Sequence, residues 1–183
     1  MRYEHRPRVA SCAFLLACLF VAAAAVPVSG ADVTFDPNPA FVCDTLTVDV
    51  NIDASVTDLR GFTFVFEFDP TVVAPIAVVA GPLETGAPCP SFFTWVNSAA
   101  IGDSIYVDGA TLGCSVAGPG SIVRITFVTV THAASSALTC RSGSMRDALN
   151  QPIPYVCHPG VVETCPGIGV ERQLWQSVKY LYR

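Results

Sequence analysis

Apolar and polar residues alternate with a period of two through most of the chain between residues 32 and 166. The strongest case is Phe62, Phe64, Phe66 and Phe68, which run straight into Asp69-Pro70. That period places the four rings on one face of a β-strand and Thr63, Val65 and Glu67 on the other; Asp-Pro then ends the strand in a turn. The segment 45–52 repeats the pattern, with Leu46, Val48, Val50 and Ile52 facing inward and Thr45, Thr47, Asp49 and Asn51 outward. Further strands are predicted near 32–35, within 72–79, and at 92–97, 104–109 and 121–131, with Val123, Ile125 and Phe127 inward in the last. An eighth falls near 138–142, and a ninth is a bent run over 155–163, broken by Pro159-Gly160. Helical periodicity is nearly absent, and Gly, Pro, Asn and Asp punctuate the runs. The expected fold is all-β: a nine-stranded, antiparallel-rich β-sandwich of jelly-roll type over residues 32–166, large enough to bury its own core.

The two ends differ from this pattern. Arg2, Arg6 and Arg8 precede an apolar run over 9–28 that closes on Ser29-Gly30-Ala31, the layout of a secretory signal cleaved after Ala31, so residues 1–31 are expected to be a leader. An uncleaved anchor is the alternative, because the run approaches the ~20 residues that span a bilayer. Leu15-Leu16-Ala17-Cys18 also faintly resembles a site of lipidation at Cys18. At the other end, residues 167–183 form a linker and a tail. Leu174, Trp175, Val178, Leu181 and Tyr182 share one face of a predicted amphipathic helix over 171–183. Such a tail either packs on its own domain or serves as a docking or sorting element. It looks like the short Trp-containing tails of some secreted bacterial proteins.

Charge narrows the partners. Beyond residue 31 there are seven basic and fourteen acidic residues, a formal −7, which argues against nucleic-acid binding. No membrane contact is expected except through the leader. Cys43, Cys89, Cys114, Cys140, Cys157 and Cys165 make an even set, and in a secreted chain such a set implies disulfides. Six cysteines allow 15 connectivities. The pairing expected from position is Cys140–Cys157 across a turn, Cys89–Cys114 between neighbouring loops and Cys43–Cys165 at the two ends of the domain. Zinc is the rival use, disfavoured because no CxxC pair exists. No metal or other cofactor is expected. HExxH, GxSxG, P-loop and Rossmann glycine patterns are all absent. His132 and His158 read as loop histidines, and Glu67, Asp103 and Asp108 as solvated acids, so the chain is not expected to be an enzyme.

Five segments in order resemble cohesin domains, extracellular β-sandwiches that hold a partner protein on one sheet face. Residues 44–50 (Asp-Thr-Leu-Thr-Val-Asp-Val) resemble the family's second strand. Residues 59–70 resemble its third strand and Tyr-Asp-Pro turn, with Phe68 at the tyrosine. Gly81-Pro82-Leu83 resembles the Gly-x-Leu after the fourth strand. Residues 120–127 resemble Gly-x-Leu-Ala-x-Ile-x-Phe, and residues 145–154 resemble the turn Leu-x-Asp-x-x-Gly-x-Pro-Ile. The resemblance implies a secreted, non-catalytic module at the cell surface or in the medium of a bacterium. Its partner would be a dockerin-like protein held on the sheet of the third, fifth, sixth and eighth strands. Mapped onto this chain, the partner-binding candidates are Thr63, Val65 and Glu67, Trp95 and Asn97, and Tyr106 and Asp108. The chain departs from the family in having a single such domain, no Asp-x-Asn-x-Asp-Gly loop and six cysteines. Carbohydrate-binding modules share the fold, so a polysaccharide stacked on Phe93, Trp95 and Tyr106 is the alternative ligand. A structural role at the cell surface is the third possibility.

Overall fold

The computed structural model describes residues 30–97 and 102–166; residues 1–29 of the expected leader and the tail from 167 onward lie outside them. The chain runs β1 (Ala31–Asp36), β2 (Ala40–Val42), β3 (Thr45–Ile52), β4 (Leu59–Glu67), β5 (Val73–Ala80) and a one-turn helix α1 (Pro82–Thr85). It continues with β6 (Ser91–Asn97), β7 (Ser104–Thr111), β8 (Gly120–Thr129), β9 (Ser135–Asp147), β10 (Pro152–Ile153), β11 (Tyr155–Cys157) and β12 (Gly160–Thr164). Ala31, expected at the end of the leader, is the buried first residue of β1.

Two sheets face each other. One has the order β11-β1-β3-β8-β5, the other β2-β12-β9-β4-β7-β6 with β10 added against β9. Pairing is antiparallel except for β1 with β11 and β2 with β12. The β-sandwich is therefore as expected, with twelve described strands in place of nine. Two very short strands, β2 and β10, are additions. The bent last run divides into β11 and β12, which lie in opposite sheets. The eighth predicted strand, β9, extends through Asp147, well beyond residue 142, because it pairs with the whole of β4. The helix α1 was not predicted; Pro82 at its first turn fits a start that needs no amide donor.

The alternation in β4 builds the core. Phe62, Phe64, Phe66 and Phe68 are all buried, and Phe64 and Phe66 stack with centroids 5.5 Å apart. The opposite sheet meets this spine edge-on: Phe35 of β1 against Phe66 at 5.7 Å, Tyr155 of β11 against Phe64 at 5.3 Å, Phe127 of β8 against Phe68 at 5.8 Å. Val48, Val50, Ile52, Val123 and Ile125 are buried from the other side. Each such side chain contributes roughly 1.5–3 kcal/mol of transfer free energy. Gly143 of β9 lies where any Cβ would overlap the Phe64 ring, so the space beside that ring excludes a side chain.

The cysteines pair as Cys43–Cys165, Cys89–Cys114 and Cys140–Cys157, the three pairs expected from position. The first joins the start of β3 to the end of β12. The second links the segments flanking the β6–β7 ribbon. The third ties β9 of one sheet to β11 of the other.

Candidate functional site

The outer surface of β9-β4-β7-β6 is built by the residues that alternate with the core positions. On β4 and β7, Thr63 lies opposite Asp108 and Val65 opposite Tyr106. The Thr63 hydroxyl donates to Asp108 Oδ1 at 2.5 Å. Val65 stands in the middle of the face between Tyr106 and Ser142 and is only 5% exposed. Tyr106 is 44% exposed. Glu67 pairs with Arg141 at 3.4 Å, and Arg141 is the extra residue of a β-bulge in β9. Both partners are well exposed, so the pair contributes less than about 1 kcal/mol.

Strand β6 has the opposite phase from the expected one. Trp95 is paired with buried Val107 and packs, with Phe93, against the core. Asn97 shares that side of the strand, opposite buried Ile105, though it is exposed at the strand's end. The outward residues are Phe92, Thr94 and Val96, opposite Ala110, Asp108 and Tyr106. Phe92 is 54% and Val96 60% exposed. Of the expected set, Thr63, Val65, Glu67, Tyr106 and Asp108 therefore share the outer face, whereas Trp95 and Asn97 do not. The row Phe93, Trp95, Tyr106 is not formed on one surface. The sequence carries no phase signal in β6, because apolar residues occupy both parities.

At one end the face dips into an open groove of about 600 Å³, lined by Arg60, Thr63, Phe92, Asp108, Leu112 and Arg146 among others. Arg60 is the extra residue of a second bulge, between Leu59 and Gly61. At the other end a hollow of about 530 Å³ lies beside Glu67, Asp69 and Asp103. There Asp69 accepts from the Thr71 hydroxyl at 2.6 Å and the Thr71 amide at 2.9 Å, which hold its carboxyl below the usual range.

No protein-family model and no curated protein matches the chain. Solved structures do. A non-cellulosomal cohesin from the hyperthermophilic archaeon Archaeoglobus fulgidus superposes with a TM-score of 0.63 at 18% identity, over 79% of this chain and 98% of that one. The fold is that of a cohesin domain. The cohesin of a type I cohesin–dockerin complex from Clostridium thermocellum matches with a TM-score of 0.62 at 17% identity, over 75% of this chain and 95% of that one. The sixth cohesin of scaffoldin B from Acetivibrio cellulolyticus, in complex with a mutant Cel5 dockerin, gives 0.61 at 14% identity, over 74% and 99%.

Beneath one edge of the β9-β4-β7-β6 face lies a group that periodicity does not single out. Glu84 of α1 is 3% exposed, and its Oε2 has no hydrogen-bond partner. Its Oε1 approaches the space left by the missing side chain of Gly109. Burial pushes its carboxyl up to about 7. Elsewhere, His158 Nε2 lies 2.8 Å from Asp32 Oδ1 beside the opposite sheet. Among the described residues no group of His, Cys, Asp and Glu is placed to hold a metal ion, and no helix is long and apolar enough to cross a membrane. Three disulfides fit an oxidising compartment.

Proposed function

We propose that this cohesin-like domain is a secreted, non-catalytic module that holds a partner protein of dockerin type on the outer face of β9-β4-β7-β6. The observation that carries the proposal is the composition of that face. Exposed Phe92, Val96 and Tyr106 stand beside the hydrogen-bonding pair Thr63–Asp108. Apolar and aromatic anchors within a polar setting are what protein interfaces use. Similar structures solved with a dockerin bound add support to the protein reading. Residues 171–183 then serve to retain the module at a bacterial cell surface or in a complex, and deletion of that tail should release it into the medium. Unchanged localisation would sink the retention idea.

The test is capture of partners from the host's own medium by the immobilised full chain, beside a polysaccharide array. The expected result is one saturable protein partner whose binding drops at least about tenfold in a Val96→Asp, Tyr106→Ala variant, the scale of interface anchors. Phe92 and Tyr106 are aromatic and exposed on the same face, so polysaccharide binding without a protein partner would overturn the proposal in favour of a carbohydrate-binding module. Binding to neither would leave a structural role.

A further inference from the structure

The groove beside Phe92 carries charge of both signs, Arg60 and Arg146 beside Asp108 and Asp147, in a domain where positive charge is scarce. Residues 30–166 contain only four basic side chains, all arginines, within a strongly acidic chain. Two of the four, Arg60 and Arg146, line this one groove. Both are exposed. The bulge between Leu59 and Gly61 lifts Arg60 out of the ladder alternation, and Gly61 is itself paired with Arg146, so the bulge brings the two together.

Both guanidinium groups are held by the same turn. Arg60 Nη1 donates to the Ala148 carbonyl and Arg146 Nη1 to the Asn150 carbonyl, each at 3.1 Å. Neither forms an ion pair among the described residues, whereas Arg124 and Arg141 both do. The nearby carboxylates, two of which line the groove and keep their charge, hydrogen-bond to other groups and not to the arginines. Asp147 accepts from the amides of Leu149 and Gln151 at 2.9 and 2.7 Å, Asp58 from Ala148 at 3.4 Å, and Asp108 from Thr63. A guanidinium has five donors, so each arginine keeps most of its fork free while its orientation is fixed. Opposite this pair the groove presents apolar surface: Phe92 at 54% exposure and Leu112 at 57%.

We infer that this groove is the acid-reading end of the binding face. It takes a partner-protein segment that carries Asp or Glu carboxylates beside an aliphatic side chain. The carboxylates meet Arg60 and Arg146, and the aliphatic group lies on Phe92 and Leu112. This rests on the protein-binding reading above. Leu112 tips the chemistry toward a peptide, since a branched aliphatic chain offers no flat ring for a sugar to stack on. Charge complementarity at the groove sets partner choice and encounter rate, while the apolar pair excludes water.

The test uses the full chain, secreted and processed by its host, titrated with a short capped peptide alternating Leu and Glu and with its Leu–Gln counterpart. Binding is followed by the arginine Nε–H resonances. The Leu–Glu peptide is expected to shift the signals of Arg60 and Arg146, with affinity that falls as salt is added. The Leu–Gln peptide is expected to leave them unmoved. Arg60→Gln and Arg146→Gln should each weaken binding about tenfold, the scale of a hydrogen bond to a charged group. Arg→Lys variants, which keep the charge without the fork, should recover part of the loss. Equal binding of the two peptides, or no binding of either, overturns the inference. So does polygalacturonate binding at the same arginines in place of the peptide. The host-medium capture separates the two claims. A partner lost in the Val96→Asp, Tyr106→Ala variant but kept in the Arg60→Gln, Arg146→Gln variant refutes the groove and leaves the face standing.

Discussion

Glu84 makes the stability of this domain depend on pH in a direction opposite to that of most carboxylates. Its side chain is 3% exposed, Oε2 has no partner, and no basic group among the described residues pairs with it. Burial raises its carboxyl from 4.5 to about 7, so between these values the native state holds a proton that the unfolded chain has released. Stability therefore falls as pH rises through this window, and the full penalty is present above about pH 7. At about 1.4 kcal/mol per pH unit across that interval, the penalty is at most about 3.5 kcal/mol. Glu84→Gln keeps the shape and removes the ionisation. Urea unfolding with the disulfides intact, run for both proteins from pH 5 to pH 8, isolates the effect, because every other titration cancels in the difference. The wild type should lose about 2–3 kcal/mol relative to the variant over that range. Parallel stability profiles would refute the reasoning and mean that water reaches the carboxylate.

Three further outcomes test the packing. Phe64→Ala should cost about 3–5 kcal/mol in chemical unfolding, since it empties the centre of the ring stack; a cost below about 1 kcal/mol would contradict that. Gly143→Ala should destabilise by about 1–3 kcal/mol despite the better strand propensity of alanine, because its Cβ overlaps the Phe64 ring, and a Phe64→Leu background should relieve much of the loss. Replacing Cys89 and Cys114 by serine should cost about 3 kcal/mol for a closed loop of 25 residues, measured as a shift in urea midpoint with no change in fold by circular dichroism.

What could be read from the sequence follows from where side chains meet the core. In β4 the alternation is undiluted, so strand, face and burial were all legible. In β3 and β8 it is nearly so. In β6, Phe92, Phe93, Trp95 and Val96 put apolar residues on both parities, and an edge strand is exposed enough on each side to tolerate them. The phase there is fixed by pairing with β7, which sequence does not show. The reach of β9 beyond residue 142 is not legible, because Arg141-Ser142-Gly143-Ser144 has no apolar alternation. Its inward Gly143 is small because Phe64 of the neighbouring strand already fills that space. The arginine groove depends on a bulge and on a turn some ninety residues away in sequence from Arg60. Periodicity cannot signal either.

The Cys43–Cys165 bond has a mechanical meaning. It spans 122 positions of sequence and lies close to both ends of the described domain. Tension applied between those ends passes through β1 and β2 and then directly across the covalent bond. The β3-to-β12 body, including the outer face of β9-β4-β7-β6 and its arginine groove, is thereby shielded from the pull. Only the short run before Cys43 can be peeled away. A chain anchored at one end and drawn at the other by shear would thus keep that sheet face intact, and would lose that protection in a reducing medium.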